Sequence, residues 1–79
     1  MKVKEINSKA RKITIEKEGK EVARVFIFLI NNDLGHHAPY ALLEDVYVEE
    51  EYRGEGYGKD IVQAAIEEAK RLGCYKIVG

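Results

Sequence analysis

Residues 53–58 read Arg-Gly-Glu-Gly-Tyr-Gly, which places glycine at three alternate positions, Gly54, Gly56 and Gly58. Directly after them, Ile61, Val62, Ala65, Ile66, Ala69 and Leu72 recur at helical spacing, while Lys59, Gln63, Glu67, Lys70 and Arg71 occupy the other faces. Gly73 stands where a helix stops. Residues 42–48 before the glycines and residues 74–78 after the helix both read as strands. Strand, glycine loop, helix and strand together predict a right-handed βαβ crossover, and with it an α/β fold. A plain strand-to-helix turn does not need glycine three times. Backbone without Cβ atoms can turn its N–H groups inward and approach a ligand closely, and a helix N-terminus adds a partial positive charge, so the pattern predicts a phosphate cradle. Arg53 and Lys59 put full charges at its rim.

The spacing narrows the phosphate ligand. A mononucleotide loop needs glycine where Arg53 stands and a magnesium-binding hydroxyl where Asp60 stands. The dinucleotide fingerprint needs a glycine three residues after Gly56, and Lys59 is there. Both readings fail.

The rest of the chain predicts a sheet. A short strand is possible at residues 3–6, and Ile13 and Ile15 alternate with Thr14 and Glu16 in a clearer one. Glu18, Gly19 and Lys20 form a polar link, so this strand is expected to make a hairpin with residues 21–30. Residues 25–30 are apolar at both parities, which predicts a strand inside the sheet and covered on both faces. Residues 31–39 are rich in turn formers and predict a loop. Seventy-nine residues allow one domain at most, spanning residues 1–79, with a thin core.

What fits the glycine loop is Arg-x-x-Gly-x-Gly, formed by Arg53, Gly56 and Gly58. Leu43, Glu44, Asp45, Val46, Tyr47 and Val48 precede it, Tyr52 lies beside it, and an amphipathic helix closing on Leu72 and Gly73 follows. On these residues the sequence resembles the GNAT superfamily of N-acetyltransferases from about residue 20 to residue 78, and strand and loop look most like the spermidine/spermine acetyltransferases. The resemblance implies a mixed, mostly antiparallel sheet with one long helix after a pyrophosphate-holding loop, and acetyl-CoA as cosubstrate. By it, the strand backbone at Val46, Tyr47 and Val48 runs beside the pantetheine arm. Arg53, Gly54, Glu55, Gly56, Tyr57, Gly58 and Lys59 then hold the pyrophosphate. A splayed sheet leaves unpaired backbone groups that an extended amide-bearing ligand can satisfy, so the ligand would act as a strand. Gly56→Val is expected to fill the cradle and leave the fold intact. The likeness is partial: residues 7–12 leave no room for the two helices that family members carry between their first two strands, and the C-terminal half of the fold is expected to be missing.

Acetyl transfer to an amine needs a base for the ammonium proton, donors for the developing oxyanion and an acid for the thiolate. Glu44 is the best base candidate, because a carboxylate in an interior strand needs a reason to be there and because it matches a base or polyamine-binding carboxylate in the resembling enzymes. Asp45 is the second candidate, facing away from Glu44 if the strand is regular and with it if a bulge intervenes. Either carboxylate can instead face solvent or pair with Arg24. By analogy, the Val46 N–H is an oxyanion donor. His36 and His37 are adjacent and point apart in an extended loop, so they do not make a metal pair. Cys74 reads as a small core residue, Tyr47 and Tyr52 as packing, and Glu49, Glu50 and Glu51 as a solvated turn whose charge would favour a cationic acceptor.

Thirteen basic and fourteen acidic residues are interspersed, so no basic stripe points to nucleic acid. The longest uncharged apolar run, residues 25–30, is far short of the roughly 20 residues of a membrane span. Charge interrupts the N-terminus before a signal peptide can develop, and one cysteine cannot make an internal disulfide, so the cytoplasm is expected. The reading is an acetyl-CoA-dependent N-acetyltransferase that modifies a small-molecule amine, a protein N-terminus or a lysine by direct attack. A non-catalytic acetyl-CoA-binding module and an inactive folding fragment are the alternatives. The strand at residues 75–78 would leave an open sheet edge, which predicts a homodimer or pairing with a complementing chain that buries Ile77 and Val78.

Overall fold

The computed structural model describes Lys2, residues 8–31 and residues 38–79. The strand expected at residues 3–6 and most of the expected loop, including His36 and His37, lie outside the described residues. The elements are β1 (Ser8–Lys17), β2 (Lys20–Ile30), β3 (Tyr40–Val48), a short 3₁₀ turn (Glu50–Tyr52), α1 (Tyr57–Arg71) and β4 (Ile77–Val78). They form one sheet in the order β1-β2-β3-β4. The first three strands are antiparallel, and β4 runs parallel to β3 through Ala41↔Ile77 and Leu42↔Val78. Among the described residues this is the mixed, mostly antiparallel sheet with one long helix that the family resemblance implies.

Local chemistry explains the joints. Glu18 and Gly19 both take positive φ, 51° and 77°, between the paired Lys17 and Lys20. That geometry is a two-residue primed turn, whose twist suits a hairpin. The helix ends where the Cys74 N–H donates to the Ala69 carbonyl (3.1 Å) and the Gly73 N–H to the Lys70 carbonyl (3.0 Å). These two bonds form a Schellman cap that satisfies carbonyls the last turn leaves unpaired.

Ile61, Ala65 and Ala69, at i, i+4 and i+8, are the buried residues of α1. They pack with Ala23, Val25, Ile27, Leu29 and Ala41 in one cluster. Two alanines on the contact stripe let the helix axis lie close to the sheet. Residues 25–30 do lie inside the sheet, but the expected cover on both faces is corrected: Val25, Ile27 and Leu29 are buried under α1, whereas Phe26, Phe28 and Ile30 on the other face are only half-buried. One helix covers one face, and the alternation of burial records it. Among the described residues no helix is long and apolar enough to cross a membrane.

Ile27→Ala is therefore expected to lower the unfolding free energy by about 2–5 kcal/mol in urea denaturation. Phe28→Ala, although it removes a larger side chain, should lower it by less. An equal or greater loss at Phe28 would show that the second face is covered in solution.

Candidate functional site

The site begins with an irregularity in β3. Arg24 pairs with Tyr47 and Phe26 with Glu44, so Asp45 and Val46 together stand opposite Val25. Two residues against one is a β-bulge, and Asp45 within it has φ 55°. The bulge breaks the alternation that would send Glu44 and Asp45 to opposite faces. Glu44 lies on the uncovered face with its partner Phe26, and Asp45 accepts a hydrogen bond there from Arg24 Nε at 2.9 Å. Of the readings open for the two carboxylates, pairing with Arg24 falls to Asp45.

Both carboxylates are exposed, with the Asp45 side chain 52% accessible. Burial thus gives no reason for either, contrary to the interior-strand reasoning, because among the described residues no helix lies over the second sheet face. What distinguishes Glu44 is position: it directly precedes the bulge, beside a shallow apolar hollow lined by Phe28, Ile30 and Leu42.

Beyond the bulge the strand borders a cleft of about 380 Å³. Val46, Tyr47 and Val48 form one wall, and Tyr52, Arg53, Gly54, Tyr57 and Gly58 form the other. β4 pairs with β3 at Ala41 and Leu42 and Gly79 lies beside Leu43, so among the described residues the outer edge of β3 has no strand beside it from Glu44 onward. Glu55, Gly56 and Lys59 are exposed and do not line the cleft.

The glycines serve different ends. Gly56, the N-cap of α1, has φ 88°, and its carbonyl accepts the first helical hydrogen bond from the Asp60 N–H at 3.0 Å. Gly54 is also left-handed, at φ 83°. Gly58 has ordinary helical geometry, and a Cβ there would meet Val48 Cγ2 at 3.8 Å, an ordinary contact. Gly56→Val is thus corrected as a clean probe: a β-branched side chain at that φ strains the backbone before any ligand is considered.

Cations gather on the aromatic walls. Arg53 Nε donates to the Val48 carbonyl at 2.9 Å, and its guanidinium lies 5.5 Å from the Tyr47 ring. The Arg24 guanidinium lies 4.7 Å from the same ring. Its pKa is raised, chiefly by the hydrogen bond to Asp45, against a smaller opposing effect of desolvation. Tyr52 and Tyr57 meet edge to face at 6.1 Å, with Lys20 over the first and Lys17 over the second. Sequence reasoning placed only Arg53 and Lys59 at this rim. Lys17 and Lys20 arrive through the hairpin, and the one signal for them was their flanking of its turn.

Burial pushes the Cys74 thiol pKa up, and the side chain packs against the core, as expected of a structural cysteine. Among the described residues no cluster of three or more His, Cys, Asp or Glu could hold a metal ion.

Residues 3–79 match the sequence profile of the Acetyltransferase (GNAT) family. The chain is 30% identical over 63 residues to glucosamine 6-phosphate N-acetyltransferase of Arabidopsis thaliana, covering 80% of this chain and 42% of that protein. The crystal structure of that plant enzyme superposes with a TM-score of 0.80 at 30% identity over 87% of this chain and 48% of the other. A candidate acetyltransferase of Agrobacterium tumefaciens gives 0.80 at 35% identity with the same coverage. An aminoglycoside N-acetyltransferase solved in complex with CoA gives 0.71 at 16% identity, covering 85% of this chain and 52% of that one, which is a likeness of fold alone. The chain spans about half the length of the relatives it matches.

Two glycine substitutions should separate backbone strain from space. Gly56→Val is expected to destabilise the fold by about 1–2 kcal/mol. Gly58→Ala, inside the first helical turn, should be neutral or stabilising by up to about 1 kcal/mol. Thermal unfolding of both variants provides the check.

Proposed function

Since the chain belongs to the Acetyltransferase (GNAT) family, we propose that it binds acetyl-CoA in the cleft between β3 and the start of α1 and transfers the acetyl group to an amine by direct attack. The observation that carries this reading is the meeting of a strand edge, beside which no other strand lies among the described residues, with a glycine loop at a helix N-terminus. The residues present suit such a ligand: a strand edge offers backbone groups to its amides, and the loop and helix start offer N–H groups to its pyrophosphate. In this reading Val46, Tyr47 and Val48 run beside the pantetheine, and of the loop residues 53–59 those that line the cleft, Arg53, Gly54, Tyr57 and Gly58, hold the pyrophosphate. The Val48 carbonyl already accepts from Arg53, so the pantetheine would share or displace that bond.

Bound acetyl-CoA would supply the thioester, whose C–S bond breaks as the amine forms the C–N bond, the CoA thiolate leaving to take a proton from solvent. Glu44 takes the proton of the acceptor ammonium, since it is accessible on the face where Asp45 is engaged by Arg24. The Val46 N–H, on the bulge, is the donor aimed at the developing oxyanion. The plant relative acts, by its name, on an amino sugar phosphate, which favours a small-molecule amine over a protein N-terminus or lysine as acceptor here. The exposed Ile77 (37%) and Val78 (42%) motivate a further proposal, that β4 pairs with a second copy of the chain. A one-chain mass by light scattering at micromolar concentration would refute it.

Calorimetric titration with acetyl-CoA tests the binding, and Gly58→Ala, whose methyl points across the cleft toward Val48, should weaken it at least about tenfold. Free-thiol release with a panel of amines tests the transfer. Glu44→Gln should slow release about 10²-fold with little change in cofactor affinity. Binding without release would leave a non-catalytic acetyl-CoA module, and no heat with acetyl-CoA would overturn the reading.

A further inference from the structure

Of the described residues, only Glu18 and Asp45 combine a Cβ with positive φ. The hairpin turn explains Glu18. Asp45 lies within a strand, where nothing in the chain's local sequence demands that conformation. Its carboxylate is held by Arg24 at 2.9 Å, and the Arg24 guanidinium lies over Tyr47, two residues further along the bulged strand. Tyr47 in turn carries Arg53, whose Nε holds the Val48 carbonyl. The contacts run unbroken from the bulge to the first residue of the glycine loop.

We propose that Arg24 is a positioning residue: by pairing with Asp45 and stacking on Tyr47 it selects the positive-φ conformation of Asp45 inside the β3 bulge, and so the aim of Val46 at the cleft. Core packing on both sides of the bulge fixes that one extra residue is present, and the ion pair bears on which backbone conformation that residue takes. Exposed ion pairs contribute little to overall stability, so the role of this one is to select a local conformation rather than to hold the fold. Lysine could keep the charge but has no planar group to lie on the ring, so Arg24→Lys should act only in part. The consequence for binding rests on the acetyl-CoA reading of the cleft; the consequence for the backbone does not.

The test uses the full chain, with the Cα shift and HN–Hα coupling of Asp45 reporting its φ. The HN–Hα coupling of Val46 reports its backbone, and Ile27 amide exchange shows whether the fold stays closed, so that global unfolding is separated from local change. In Arg24→Met, Asp45 should lose its positive-φ signature, the Val46 coupling should change while Ile27 protection holds, and the Kd for acetyl-CoA should rise about tenfold. Adding Asp45→Gly should restore the Val46 coupling and bring the Kd within about threefold of the parent, because glycine takes positive φ without help from an ion pair. The inference is overturned if Arg24→Met leaves Asp45 and Val46 unchanged, or if Asp45→Gly fails to restore Val46. If the parent chain shows no affinity for acetyl-CoA while the backbone signals respond as stated, the cofactor reading fails and the role of Arg24 stands.

Discussion

One extra residue in β3 reconciles the core with the cleft. Ala41 is buried under α1, and Leu43 and Val48 pack against the same cluster. In a regular strand Ala41 and Leu43 share a face, but Val48, at an odd separation from both, belongs to the other. Only an odd insertion between them lets all three serve one core, and the bulge at Asp45 and Val46 is that insertion. The same step sets the register of Ala23 with Val48, and it leaves Glu44, Asp45 and Tyr47 to the uncovered face. The facing of the candidate site is thus a by-product of closing the core.

The site is for this reason not an addition to the scaffold. Val48 and Tyr57 both pack against the core and line the cleft, so the wall that would meet a ligand is also the wall that holds the helix. Gly58 faces Val48 across a space that a methyl group would narrow. The helix can begin here because Gly56 turns the chain in a conformation closed to most residues, and because Ala65 and Ala69 let the helix settle on the sheet. A thin core with helix cover on one face has little slack, and a change that widens the cleft is felt in the packing beneath it.

Much of this was legible in the sequence where the signal is local. The helix, its Gly73 stop and the hairpin through Glu18, Gly19 and Lys20 follow from periodicity and turn chemistry within a few residues, although Lys20 proves to be the first residue of β2 rather than part of the turn. The family likeness followed from Arg53, Gly56 and Gly58, and the profile match over residues 3–79 agrees with it. What was not legible depends on pieces distant in the chain. The number of layers over a strand is not written in that strand, so residues 25–30 suggested cover on both faces when one helix was available. The bulge carries no glycine to announce it, and only the parity of Ala41, Leu43 and Val48 could have signalled it. Gly56 was read for the space it leaves a ligand, whereas its φ makes it first a backbone requirement.

The electrostatics of the cleft follow from how its cations are held. The chain carries a net charge of −1, so no global field draws an anion in, and at physiological salt exposed charges act over only about 8 Å. Any preference for an anionic ligand must therefore be local. A carboxylate partner orders a cation and cancels it; an aromatic face orders a cation and leaves its charge in place. Lys17 and Lys20 rest on Tyr57 and Tyr52, and Arg53 rests on Tyr47 with a neutral carbonyl as its hydrogen-bond partner. Arg24 alone of these four is neutralised, by Asp45, and it is the one whose contacts bear on the backbone of the bulge. The tyrosines beside the glycine loop divide the cations into one that shapes the strand and three whose charge stays available at the helix N-terminus.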